Sequence, residues 1–291
     1  MENTTKPQLR STSVPSRLSP SCSQIEMNHN KLRTLQPIYS STSIHNRIAC
    51  LIDLYIWINE VTNASQIQQV KLQCGNRSLI EDALVGSIKL LDSHSELVEL
   101  LAQMKDHVRT LQFSLRRKGV TRETHILDYI LSQKKLKKNI MECIRSLDKM
   151  ERGIDQSCLV DNEDCYFSMM IRFLRDIAIA TISVFRAIFV FMLGKSKVEK
   201  RSSLVAKFMP TGRVSCEQNQ EIVSDVNIID ITLCSLKTNL KKNENKTDYV
   251  QIVTESLQNL DVQIEGYEVG MDHVYRKLIQ TRVSLLNILA N

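Results

Sequence analysis

Several groups of residues in this chain have the right types for chemistry, but their spacing withholds it. Gly194-Lys195-Ser196 ends like a phosphate-binding loop, where backbone amides and a lysine cradle phosphate oxygens. That loop needs a glycine at the place where Phe189 stands, and a strand ahead of it, where this chain has a helical pattern. His94 is a candidate metal ligand, yet no second His or Cys lies at ligand spacing, so an imidazole satisfied inside a helix seam is the expectation. Neither HExxH, GxSxG nor a dinucleotide fingerprint occurs, and the carboxylates sit mostly where exposed ion pairs use them. An enzyme is not expected, nor a metal or other cofactor.

The eight cysteines, from Cys22 to Cys234, form no CxxC pair and follow no secretory signal. They read as reduced thiols of an intracellular protein, several serving as small apolar residues. Four glycosylation sequons (Asn3, Asn63, Asn76, Asn245) are then chance matches. The net charge of +6 is mild and scattered, which permits an acidic partner without requiring one.

Two basic groups stand out. Lys134-Lys135-Leu136-Lys137-Lys138 suggests a phosphate or acidic-lipid contact, but a helix spreads these lysines around its circumference. With no aromatic interleaved for base stacking, nucleic acid is not an expected partner. Arg276, Lys277 and Arg282 flank the apolar row of the last segment, close along one side. They are candidate contacts for an acidic partner, or else salt bridges to neighbouring helices.

The elements that position these residues are helices. Only 8 glycines and 5 prolines occur, four of the prolines before residue 40, with Pro210 the fifth. From Thr247 to Asn291, steps of three and four reach Val250, Val253, Leu257, Leu260, Ile264, Tyr267, Met271, Val274, Leu278, Thr281, Leu285 and Ile288. That row marks a helix buried along one stripe. Its length, about 67 Å at 1.5 Å per residue, demands equally long partners.

Five further helices follow the same logic. Ser43, a candidate cap, opens one that ends near Val61, with Ile44, Ile48, Leu51, Tyr55 and Ile58 inward and Trp57 as a core anchor beside them. A polar connector ends at Gly75. From about Asn76 to Lys118 a second helix carries Ile80, Leu90, His94, Leu97, Met104 and Leu111, stopping at Gly119. Thr121 caps a third, to about Arg152, and so short a connection makes an antiparallel hairpin. A loop from Gly153 leads to the most apolar segment, Tyr166 to Leu193. Its charges Arg172, Arg175, Asp176 and Arg186 favour a central helix contacted on every side over a membrane span. A helix from about Asn219 to Lys242 is seamed by Ile222, Val226, Ile229, Leu233, Leu236 and Leu240. The Gly266/Gly270 pair, a GxxxG, encloses Glu268, which speaks against dimerisation in a membrane.

The fold class is therefore all-α, a bundle of long antiparallel helices over residues 43–291. A disordered Ser/Thr/Pro-rich basic arm, residues 1–42, precedes it, and a basic connector, about 194–217, interrupts it. The ending Tyr275-Arg-Lys-Leu-Ile-Gln-Thr-Arg-Val-Ser-Leu-Leu-Asn-Ile-Leu-Ala-Asn291 resembles the C-terminal signature of a plant-specific family of unknown function related to the BYPASS proteins. Val14–Arg17, Gly86-Ser-Ile-Lys-Leu-Leu-Asp92, Ser132–Ile140, Thr181–Phe185, Ser203–Lys207 and Arg213–Glu217 match in the same order. Ser19 and Arg186 depart from the family pattern, which has a histidine at the first and an uncharged or acidic residue at the second. The resemblance implies a role in root and shoot development and carries over no catalytic residue or cofactor.

The expectation is a cytoplasmic, non-enzymatic regulator or scaffold that acts through protein–protein contacts on helix faces. The heptads also permit a homodimer. The alternative is a membrane-associated protein held by residues 166–193 and the basic connector, or an organelle-targeted one if the arm is a transit peptide.

Overall fold

The computed structural model describes residues 41–63, 74–116, 121–155, 165–194, 224–238 and 246–290. They form six helices: α1 (Ser41–Thr62), α2 (Cys74–Arg116), α3 (Thr121–Asp155), α4 (Cys165–Met192), α5 (Asp225–Thr238) and α6 (Lys246–Ala290). The arm before residue 41, the basic connector, the Gly119 cap, Ile222 and Leu240 lie outside the described residues.

Four boundaries differ from the sequence reading. The helix expected from about Asn219 starts only at Asp225 as α5, where Ser224 Oγ accepts from the Asn227 amide (3.3 Å). Ser43 is not the cap of α1, which already begins by Ser41 and buries Ser43 in its first turn. Gly75 and Gly153 do not bound connectors but lie within α2 and α3. A glycine in a helix costs about 1 kcal/mol relative to alanine, which disfavours a turn without forbidding it.

On α6, every residue of the apolar row is buried except Val250, which is half-buried. Each large side chain so enclosed contributes about 1.5–3 kcal/mol. Thr281, the polar member, satisfies its hydroxyl by donating to Lys277 O (3.0 Å). The row is thus consumed within the chain.

Side-chain pairs give the directions. Arg109–Asp261, Lys105–Glu268 and Arg282–Ser87 set α2 antiparallel to α6. His45 lies against Gly266 and Ile48 against Gly270, so α1 runs the same way as α6. Contacts of Arg186 with Asp148 and Glu151, then of Lys137 with Asp230, show α4 and α5 advancing in one direction along α3. Together α4 and α5 make one row, broken where Gly194 (φ +70°) meets Val226.

The break divides the bundle into two halves. In one, α5 packs directly on α6 and α3. In the other, α1 is wedged between α6 and α4: Tyr55 reaches Thr181, and Trp57 meets Phe173 edge-on at 4.6 Å.

The fourth helix is buried in its second half, through Ile182, Phe185, Ile188 and Phe189. Its first half corrects the expectation of contact on every side. Ile171, Phe173, Leu174 and Ala178 are only partly covered. Because α3 stops at Asp155, nothing from that helix continues alongside them. Among the described residues no helix is long and apolar enough to cross a membrane.

Candidate functional site

Where α3 runs out, a groove of about 990 Å³ opens between α2 and α4. Its floor comes from Tyr55 of α1 and from Leu278, Thr281 and Leu285 of α6. Its walls are apolar low down, with Ala83 and Leu90 on α2, Met150 and Ile154 on α3, and Ile171 and Ile177 on α4. This volume and lining suit a binding cleft, since burial of apolar surface supplies affinity and a few polar groups supply selectivity.

The origin of the groove is geometric. Helix α1 stands between α4 and α6, and α3 ends at Asp155, so among the described residues no helix fills the space between α2 and the first half of α4. The Tyr55 hydroxyl is anchored on Thr181 (2.8 Å), whose own hydroxyl donates to Ile177 O (2.7 Å). Burial pushes the Tyr55 phenol up, keeping it neutral. The floor is therefore fixed by hydrogen bonds as well as by packing.

Charge is segregated across the mouth. The α2 wall carries Asp82, Asp92 and Glu96, with Lys89 the exception. The α3–α4 wall carries Lys149, Arg172 and Arg175 and no carboxylate. Ser168 also lines the groove, and its hydroxyl has no hydrogen-bond partner among the described residues. Gly86 borders the opening, and a Cβ built there meets nothing within 4 Å.

A second, smaller recess of about 300 Å³ lies between α2 and α3, where Glu96, Glu99 and Glu142 surround Cys143. Burial, then the Glu96 carboxylate, pushes this thiol up to about 11. It is protonated at neutral pH and a weak nucleophile. No group of three His, Cys, Asp or Glu among the described residues is arranged to hold a metal ion.

The three cations singled out in the sequence are not gathered into one patch. Arg282 turns toward α2, donating to Leu84 O (2.7 Å) and Ser87 Oγ (2.8 Å). Arg276 is 71% exposed and pairs with Asp272 of its own helix, while Lys277 reaches Gln280 at 3.4 Å. Helical spacing alone separates them, because 276 and 282 lie on different faces of α6. Of the lysine run, Lys137 is committed to Asp230, and Lys134, Lys135 and Lys138 are exposed.

His94 is buried in the seam, with its Nε2 2.9 Å from Met271 O and Tyr275 beside it at 5.1 Å. The carbonyl can only accept, so that nitrogen carries the proton. Burial pulls the His94 pKa below the usual imidazole range, opposed by the Met271 bond and by Asp272. Arg186 is held above its ordinary range: burial opposes its charge, but Glu151 and Asp148 outweigh that at 2.5 and 2.8 Å.

Sequence reasoning missed the groove. Its walls come from five helices, and only the break in apolar coverage at the start of α4 hinted at it. A comparison with known families now adds to the geometry. The family model described as Protein BPS1 matches residues 47–288.

The chain belongs to that family.

The match takes in α2, α3, α4 and α5, most of α1 and α6, and with them every residue of the groove. Membership of the Protein BPS1 family suggests a plant developmental regulator. The block Gly86–Asp92, on which the resemblance partly rested, contributes Gly86, Ser87, Lys89, Leu90 and Asp92 to the α2 wall. No curated protein and no solved structure matches the chain.

Proposed function

We propose that this protein is a non-enzymatic regulator or scaffold of root and shoot development, working in the cytoplasm through protein partners held on its helix faces. The observation that supports this reading most is the groove of about 990 Å³, apolar inside and charged at the rim, with the family-like block Gly86–Asp92 in its wall. The α6 seam is occupied inside the chain, so a homodimer would have to use another face.

Proximity labelling with the full-length chain in plant cells tests the proposal. The expected result is a reproducible set of cytoplasmic protein neighbours. Neighbours no different from those of the labelling enzyme alone would overturn it. Retention of the chain in a carbonate-washed membrane pellet would replace it with membrane association.

A further inference from the structure

The groove has a direction as well as a volume. Along α2 its lining runs from Leu79 to Glu96, about 26 Å at 1.5 Å per residue. It begins beside the last turns of α3 and continues past Asp155 between α2 and α4. Such a space follows the axes of its neighbours, as a further helix of the bundle would.

Its chemistry is divided in the same way. A row of apolar side chains lies along the bottom; acids predominate on one rim, with Lys89 among them, and bases line the other. Among the described residues Lys149 and Arg172 have no ion-pair partner in the chain, and neither do Asp82 and Asp92. A helix laid in the groove would meet all three surfaces at once: its apolar stripe down, one flank against each rim.

We propose that the groove is the berth of one amphipathic helix from a partner protein, four to five turns long. Its apolar stripe lies on Leu79, Leu174 and Ala178, lining residues that the chain itself leaves half-buried. Its cationic flank faces Asp82, Asp92 and Glu96, and its anionic flank faces Lys149 and Arg172. This rests on the scaffold reading above and names the class of partner. A compact anion would satisfy only one rim and leave the other uncompensated, whereas a helix with mixed flanks complements both.

The test uses the full-length chain and three synthetic 18-residue helical peptides with one leucine stripe. One carries Lys on one flank and Glu on the other, one carries Lys on both, and one Glu on both. Fluorescence anisotropy is expected to show the mixed peptide binding about tenfold or more tighter than either single-sign peptide.

Gly86→Trp projects a side chain into the open mouth and is expected to abolish binding while leaving the melting temperature within a few degrees. Changing Asp82, Asp92 and Glu96 together to lysine makes both rims basic, and the preference should pass to the two-flank glutamate peptide. Equal binding of all three peptides, or binding that survives Gly86→Trp, would overturn the inference. So would a fluorescent long-chain fatty acid that binds, and is lost in Gly86→Trp, when no peptide does. In cells, an unchanged neighbour set for Gly86→Trp removes the berth and leaves the scaffold reading intact. Absence of any specific neighbour set for the unmodified chain removes that reading itself.

Discussion

Around Leu257 and Leu260, α6 is packed by α2 and α5. From Gly266 onward the same buried row is flanked by α1, with α4 beyond it. The row itself does not change character between the two stretches. What changes is which helices are arranged about it, and the groove of about 990 Å³ opens in the half that contains α1. An unbroken heptad pattern thus specifies that a helix is covered, not by which neighbours or how completely.

Removing the side chain that joins the halves should have the largest effect. Tyr267 is fully buried, 4.8 Å from the His45 ring and 5.1 Å from Phe191. Tyr267→Ala is expected to cost about 3–5 kcal/mol, measured by urea denaturation. A loss under about 1 kcal/mol would show that the two halves do not share one core.

Next comes the approach of α1 to α6. A Cβ on Gly270 would lie 2.8 Å from Ile48 Cγ2, and one on Gly266 would lie 2.5 Å from His45 Nε2. Gly270→Val should therefore destabilise by about 1–3 kcal/mol. Hydrogen exchange should quicken in α1 and stay unchanged in α5. Equal quickening in both would dissolve the distinction between the halves.

Arg186→Ala removes the tie from α4 to Asp148 and Glu151 of α3. Because the group is partly solvated, a loss of about 1 kcal/mol is expected.

For His94 the pH dependence has a definite sign. The folded pKa is lowered, so the unfolded chain takes up the proton first as pH falls. The stabilisation is present above the ordinary imidazole value of about 6.5 and drains away as pH drops from there through the folded value. Thermal melts between pH 7.5 and 5 should show this slope, flattened in His94→Gln. The smallest change has the opposite sign. Gly86→Ala meets no atoms and should stabilise by up to about 1 kcal/mol.

How much of this was legible beforehand depends on how far apart the contacting residues are. The α6 row, Trp57 as an anchor and His94 as a satisfied seam residue follow from spacing on single helices, where periodicity carries the information. The end of α3 relative to α4 does not, because Gly153 reads as a stop signal yet is taken up in the last turn of the helix. Nor does the Gly266/Gly270 pair reveal its partner: the small residues admit a close helix, but their spacing cannot say that the helix is α1. The groove is harder still, being what remains after five separate segments have docked. Arg282 was named as a contact residue, yet its bonds to Leu84 and Ser87 depend on the register between α2 and α6.

The meeting of Gly194 with Val226, where an added Cβ would stand 3.1 Å from Cγ1, has a practical corollary. Two ends that touch can be sutured. Excising residues 195–223 and rejoining the chain with a short glycine linker should give a protein that melts cooperatively with every buried row in place.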